Sequence, residues 1–498
     1  MKNSLARRQF LAAATGASVA SVCFPGEGLF AATVGSLGGG ALSDTEAQSG
    51  VRADLLAAES DAYRRAVISG DVTKVEEFLA RDAALLYARD VRGQSVYLLA
   101  AYAGQPAVMK VLEAKGLVLD VYEASAAGKV DRVHELLRPV PGLVNMPNLA
   151  GDTPVHVAAL CGRAEVIENA IQYGPDFALR NAKRKNATAA HLGFASAGQA
   201  AAESMAFAMA GNGLDPNLAD ADGNTLLHSA ALTGYPRVIR LLLQKGADAA
   251  ARNAAGLTAV EIAMAHKNAD AVELLRSVHS IPRDYYARRF AYASKFSTLQ
   301  RDDTQGMPRE LVNTFAVLSH FGFERVQKLL ELVPELLNTR ATWDELPVEA
   351  AAHMGRADIG GFLLDRGASY SICTAAVFGS LGDVKKMLEE DAKRIRERGA
   401  HSFPLLFYTA FGKPQMEIAE YLIAKGADPK EDMRGRTVLH TAAAAGHLDM
   451  CRYFLEKGLD PRQKGTNFQG SMDAAEAAEL GKHTEVAAMI REWMKTHT

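Results

Sequence analysis

The 498 residues are 48% apolar and 23% charged, which excludes a disordered chain and a bundle of membrane spans. A formal charge of −3 leaves no broad basic face for nucleic acid. Aromatic residues make up only 7%, a balance that favours closely packed helices rich in Ala and Leu over a β-sandwich.

The chain opens on a charged start ending in Arg7-Arg8, followed by Gln9-Phe10-Leu11 and a mild apolar run from Leu11 to Phe24 broken by Thr15, Gly16 and Ser18. That run is too short and too polar to span a bilayer as a helix. The order Arg-Arg-x-Phe-Leu resembles a bacterial twin-arginine export signal. The resemblance implies that an export receptor reads Arg7 and Arg8 and that the passenger reaches the periplasm already folded. Residues 1–32 are the expected signal peptide, cut between Ala20 and Thr33. Lipid attachment at Cys23 is disfavoured by Val22, where a small residue is expected. Residues 33–58, with Gly35, Gly38, Gly39 and Gly40, read as a flexible lead-in.

Beyond residue 58 the sequence repeats itself. Asp222-Gly-Asn-Thr-Leu-Leu-His-Ser-Ala-Ala-Leu-Thr-Gly234 matches Arg434-Gly-Arg-Thr-Val-Leu-His-Thr-Ala-Ala-Ala-Ala-Gly446 and Ala150-Gly-Asp-Thr-Pro-Val-His-Val-Ala-Ala-Leu-Cys-Gly162. Each is followed by a second amphipathic run such as Val238–Lys245, closed in that case by Gly246-Ala-Asp. Thr at the start of the first run can cap a helix, Pro154 sits where a missing N–H costs nothing, and paired Ala keeps the first helix narrow enough for a neighbour. These residues resemble the ankyrin repeat. Taking the inter-helix Gly as a ruler gives Gly70, Gly104, Gly128, Gly162, Gly198, Gly234 and a substituted Asn268, then Gly322, Gly355, Gly382, Gly412, Gly446 and Gly481. The fold expected is therefore all-α, an ankyrin-repeat solenoid of about 13 helix-turn-helix units in two blocks, 59–282 and 309–494, with a tail at 495–498. Both series place a short step second, at Gly116-Leu-Val-Leu-Asp and Gly367-Ala-Ser-Tyr-Ser, where the finger between repeats must be trimmed.

Residues 283–308 join the blocks and carry Tyr285, Tyr286, Phe290, Tyr292 and Phe296 among basic residues. Basic and aromatic interleaving can bind single-stranded nucleic acid, but Tyr285, Tyr292, Phe296 and Leu299 share one helical face, which favours a docked helix.

The family resemblance implies that the two residues before the inter-helix Gly face a concave groove. The groove candidates are then Tyr102, Leu160, Leu232, His266, His320, Phe321, His353, Met354 and Phe411, with Trp343, Asp344 and Glu345 on a neighbouring exposed finger and Lys183, Arg184 and Lys185 farther off. Phe321, Met354 and Phe411 are equally readable as packing between repeats. His266, His320 and His353 occupy one position in three successive units. Packed helices stand about 10 Å apart, too far for three ligands around one ion unless the intervening segment folds in, so no metal is expected. His156, His191, His228 and His440 occupy the signature slot and read as structural. No nucleophile elbow, phosphate-binding loop or His-Glu-x-x-His helix occurs, and the cysteines at 23, 161, 373 and 451 share no short spacing, so no catalytic residue, disulfide framework or cofactor is expected. The function expected is protein–protein interaction through the groove, without enzymatic activity, in an exported protein whose partner and oligomeric state the sequence does not name. The alternative is an exported enzyme or small-molecule binder with a pocket at the block junction, walled by His320, His353, Trp343 and His401. Neither a nucleic-acid partner nor a membrane span is expected.

Overall fold

The computed structural model of the protein describes residues 59–90, 92–279, 304, 306–467 and 470–497. The expected signal peptide, the lead-in and most of the aromatic connecting segment lie outside these residues. Among the described residues no helix is long and apolar enough to cross a membrane.

Thirteen helical pairs follow one another among the described residues, from 59–69 with Val72–Arg81 to Ala474–Leu480 with Thr484–Thr496. The local chemistry is legible at Pro154–Leu160. Thr153 in extended conformation caps the helix by accepting from the His156 N–H, and Pro154 takes the first helical position. Ala158 and Ala159 are fully buried, as are Ala230 and Ala231, and Ala442 and Ala443, so first helices meet along a seam of methyl groups. Second helices bury a wider stripe. Val238, Ile239, Leu241, Leu242 and Leu243 of Pro236–Gln244 are all inside, and each fully buried aliphatic side chain of this size contributes roughly 1.5–3 kcal/mol.

The chain divides into two compact units, residues 1–272 and 273–498. The division falls inside the helix Ala269–His279, because Glu273 pairs with Arg325 at 2.8 Å and the Ser277 carbonyl accepts from Thr314 at 2.7 Å. In each unit, fingers between repeats are pinned by isolated bridges such as Asn181 with Ala187, Ala219 with Thr225 and Arg398 with Pro404. The last finger forms a short antiparallel ribbon, Gly465–Asn467 with Gly470–Met472. The two trimmed links run from Gly116 and Gly367 directly into the helices Val121–Ala127 and Ile372–Phe378.

The glycine ruler needs adjustment at five turns: Gly198 (φ −68°) and Gly322 (φ −104°) keep negative φ and cap the second helices Gln199–Ala210 and Phe323–Leu332. Lys267 (φ 58°) rather than Asn268, and Lys482 (φ 63°) rather than Gly481, take the left-handed conformation. In the third repeat of unit two the turn is at Gly379, and Gly382 lies inside the helix Leu381–Glu390. The caps of that repeat, Ser371 and Ser380, are one residue closer than the equivalent Leu346 and Arg356 of the repeat before it. The shortened turn withdraws, and the turns on either side meet above it. A Cβ placed on Gly355 would lie 2.3 Å from the Gly412 Cα.

Candidate functional site

Four side chains of unit two converge on one point. His320 follows the helix Arg309–Leu318, His353 is the last residue of Pro347–His353, Glu345 closes the finger before it, and His401 sits in the short turn Ala400–Ser402 of the next finger. One nitrogen of each imidazole and one carboxylate oxygen all lie within 4.8 Å of one another. The His320 and His353 rings are 4.8 Å apart and the His353 and His401 rings 4.9 Å, both edge to face.

The expectation that repeat spacing keeps these groups apart is thus corrected. Helix axes are separated by a helix diameter, but His320 and His353 lean toward each other across that gap. The intervening segment also folds in: with the finger at 367–371 trimmed, nothing in the chain between residues 346 and 398 forms a hairpin at that edge, and His401 reaches back. The third imidazole of the group is His401, not His266. His266 caps Ala259–Ala265 in unit one and is half-buried.

Glu345 is the centre. Its carboxylate is fully buried, with His353 Nδ1 at 3.1 Å and His401 Nε2 at 3.3 Å from Oε1, and His320 Nε2 at 3.8 Å from Oε2. Oε1 nevertheless receives no hydrogen bond of normal geometry. Oε2 accepts the indole N–H of Trp343. Burial by itself would raise the Glu345 carboxyl, but the imidazoles of His353, His401 and His320 outweigh it and hold the group well below the usual carboxylate range. Burial pulls His320 down against the Glu345 charge. For His401 the same burial is overcome by the adjacent Glu345 carboxylate, and the imidazole is raised. His320 donates Nδ1–H to the carbonyls of Ala316 (2.9 Å) and Val317 (3.1 Å), which leaves its Nε2 lone pair toward the carboxylate.

Trp343 is 2% exposed, which corrects its expected place on an exposed finger. It packs against Ala316, Ala341 and Val317, where small side chains leave room for the indole, and its one polar atom is satisfied by Glu345. Of the groove candidates, only Phe321 (61% exposed) and Met354 (53%) present large apolar surface. Tyr102, Leu160, Leu232 and Phe411 are half-buried. Phe411 packs on Phe403 and Tyr408 at 5.4 and 5.3 Å between ring centres and borders His353 at 6.3 Å. Arg184 is likewise not a free fingertip group. It grips the buried Asp152 through Nε and Nη2 at 2.8 and 2.9 Å, and Asp152 also holds Asn181 and the Tyr102 hydroxyl. Nothing in the sequence singled out Asp152, since the usual residue pattern of a finger hides which of its polar groups turns inward.

Residues 192–283 and 372–465 match the family model for ankyrin repeats (3 copies). Comparison with curated proteins finds no match. Over those two segments the chain carries ankyrin repeats, and the helical pairs, fingers and Thr-capped first helices make the fold an all-α ankyrin-repeat solenoid.

Proposed function

We propose that this is an exported ankyrin-repeat protein that docks a partner protein on the inner edge of its second unit, with Phe321 and Met354 as apolar anchors. Ankyrin repeats are in general protein–protein interaction modules. The observation that supports this siting is that the two largest exposed apolar side chains of the groove row stand on consecutive repeats. They are tied together by Arg356, which donates to the Phe321 carbonyl at 2.9 Å. Such a pair is costly to leave in water, and burial in a partner's pocket recovers about 1.5–3 kcal/mol for each side chain. Export to the periplasm rests on the Arg7-Arg8-Gln9-Phe10-Leu11 motif, and no catalytic motif in the sequence argues for an enzyme.

The test is cross-linking and co-purification from the cell envelope with wild type and with Phe321→Ser, Met354→Ser. Both positions are exposed, so circular dichroism should be unchanged. A partner that is specific to wild type and is lost at least about tenfold from the variant, equivalent to about 1.4 kcal/mol, supports the reading. Equal recovery from both rejects the siting. In the same cells Arg7→Lys, Arg8→Lys should leave uncleaved protein in the cytoplasm, and unchanged periplasmic yield would reject export by this route.

A further inference from the structure

We propose that His320, Glu345, His353 and His401 form a binding site for one divalent transition-metal ion of the zinc(II) class. The site is independent of the docking reading and goes beyond it.

The donor set is three imidazoles and a carboxylate, borderline ligands that suit zinc and its neighbours rather than calcium or magnesium. The geometry is close to that of a coordination shell. In a tetrahedron with metal–ligand bonds of about 2.0–2.1 Å, neighbouring donor atoms stand about 3.4 Å apart. Here the distances from the carboxylate oxygens to the imidazole nitrogens are 3.1, 3.3 and 3.8 Å, and no donor pair exceeds 4.8 Å. His353 Nδ1, the nearest of these, also lies 3.1 Å from the Glu349 carbonyl, so His353 coordinates only by giving up that contact or by turning Nε2 to the ion. Contraction by a side-chain rotation would close the shell.

Three further observations point to a ligand in this space. First, Glu345 Oε1 is buried and receives no well-directed hydrogen bond although two imidazole nitrogens are within 3.3 Å. A buried carboxylate oxygen left in this way is expensive unless a cation completes its surroundings. Second, the outer partners that hold metal ligands in place are present: the Trp343 indole N–H on Oε2, and the Ala316 and Val317 carbonyls on His320 Nδ1. Third, His401 (φ 56°) and Ser402 (φ 61°) are both held in the left-handed region, which side chains with a Cβ rarely adopt. Lys185 (φ 54°) and Asn186 (φ 56°) take the same conformation in a finger of unit one, so the turn itself belongs to the fingers; what is particular here is that it carries an imidazole to 3.3 Å from Glu345 Oε1. Phe403 and Phe411, each 6.3 Å from the His353 ring, form an apolar fence on the far side.

Four protein ligands fill a tetrahedron, so the ion is structural and leaves no position for an activated water. It ties two first-helix ends to two fingers and holds the edge that carries Phe321 and Met354. The competing account is a metal-free hub in which protonated imidazoles neutralise Glu345.

The protein should be produced without a histidine tag, stripped with a chelator, dialysed and titrated with zinc(II), with cobalt(II) as a spectroscopic probe. The proposal expects one zinc per chain by elemental analysis, a raised thermal midpoint on zinc addition, and cobalt absorption of tetrahedral intensity. Glu345→Gln and His353→Ala should abolish all three. His401→Gly removes the ligand while relieving its backbone strain, so it should fold as wild type and still lose zinc affinity at least about tenfold. Substoichiometric zinc in the wild type with no midpoint shift and no cobalt spectrum would overturn the site in favour of the protonated hub. So would a His401→Gly variant that folds and binds zinc as wild type does.

Discussion

Thr225 and His228 show how one repeat is closed and joined to the next. The Thr225 N–H donates to His228 Nδ1 at 3.1 Å, so the imidazole proton is on Nε2, which donates to the Leu257 carbonyl of the following finger at 2.9 Å. The same arrangement recurs from His191 to Asn224 and from His440 to Gln463. Three of the four signature histidines are thus cross-links between repeats, whereas His156 bonds its own cap Thr153 and its Nε2 has no hydrogen-bond partner among the described residues. His228→Ala leaves the Leu257 carbonyl and the Thr225 N–H without these partners in a buried place. We expect a loss of about 2 kcal/mol, measured as a lower urea midpoint with an unchanged slope. At the seventh repeat Glu261 replaces His and bonds to its own cap, Thr258, and to Arg252 of the finger just before it at 3.5 Å. Glu261→Ala should therefore cost less than His228→Ala, since no link to a following repeat is lost.

At the scale of an element, the decisive feature is the shortened third repeat of unit two. Its turn at Gly379 withdraws, and Gly355 (φ 65°) and Gly412 (φ 63°) come into backbone contact above it. No side chain fits either position. Gly355→Ala would place a methyl group 2.3 Å from Gly412 and also force alanine into the left-handed region. We expect it to cost about 2 kcal/mol or more, and to move His353 relative to Phe411 and His401. Gly104→Ala is the control. Gly104 has φ 68° but nothing within 4 Å of the added Cβ, so only the conformational cost of about 1 kcal/mol applies. Comparable midpoints for the two variants in thermal unfolding would show that the close approach is not a constraint. The trimmed finger at 367–371 is the companion feature, and together they allow a turn from the next finger to deliver His401 to Glu345.

Across the whole molecule, four signature histidines respond to pH in the same direction. Burial holds His156, His191, His228 and His440 below the ordinary imidazole value. The unfolded chain therefore takes up protons first, so the stability these groups contribute is present above about pH 6.5 and is lost as pH falls from there through the folded values. His401 has the opposite sign: its raised value contributes stability below about pH 6.5 that is lost as pH rises through the folded value. Burial holds His320 and His447 down as well, so with six groups against one the thermal midpoint should fall between pH 7 and pH 5, and a midpoint constant over that range would count against neutral, buried signature histidines. What the sequence determined by itself is whatever repeats: helix pairs, caps, the Ala seam and the structural place of the signature histidines, because each depends on residues within one period or its neighbour. It also contained every member of the Glu345 group by name, along with the two trimmed steps. Their convergence was decided by tertiary structure alone. Side chains 81 residues apart in the chain, from His320 to His401, met only because a shortened repeat let its neighbours close over it. The same holds for Trp343. A tryptophan on a finger has no local reason to face inward, and only the Ala316–Ala341 hollow and the buried Glu345 carboxylate beside it turn it in.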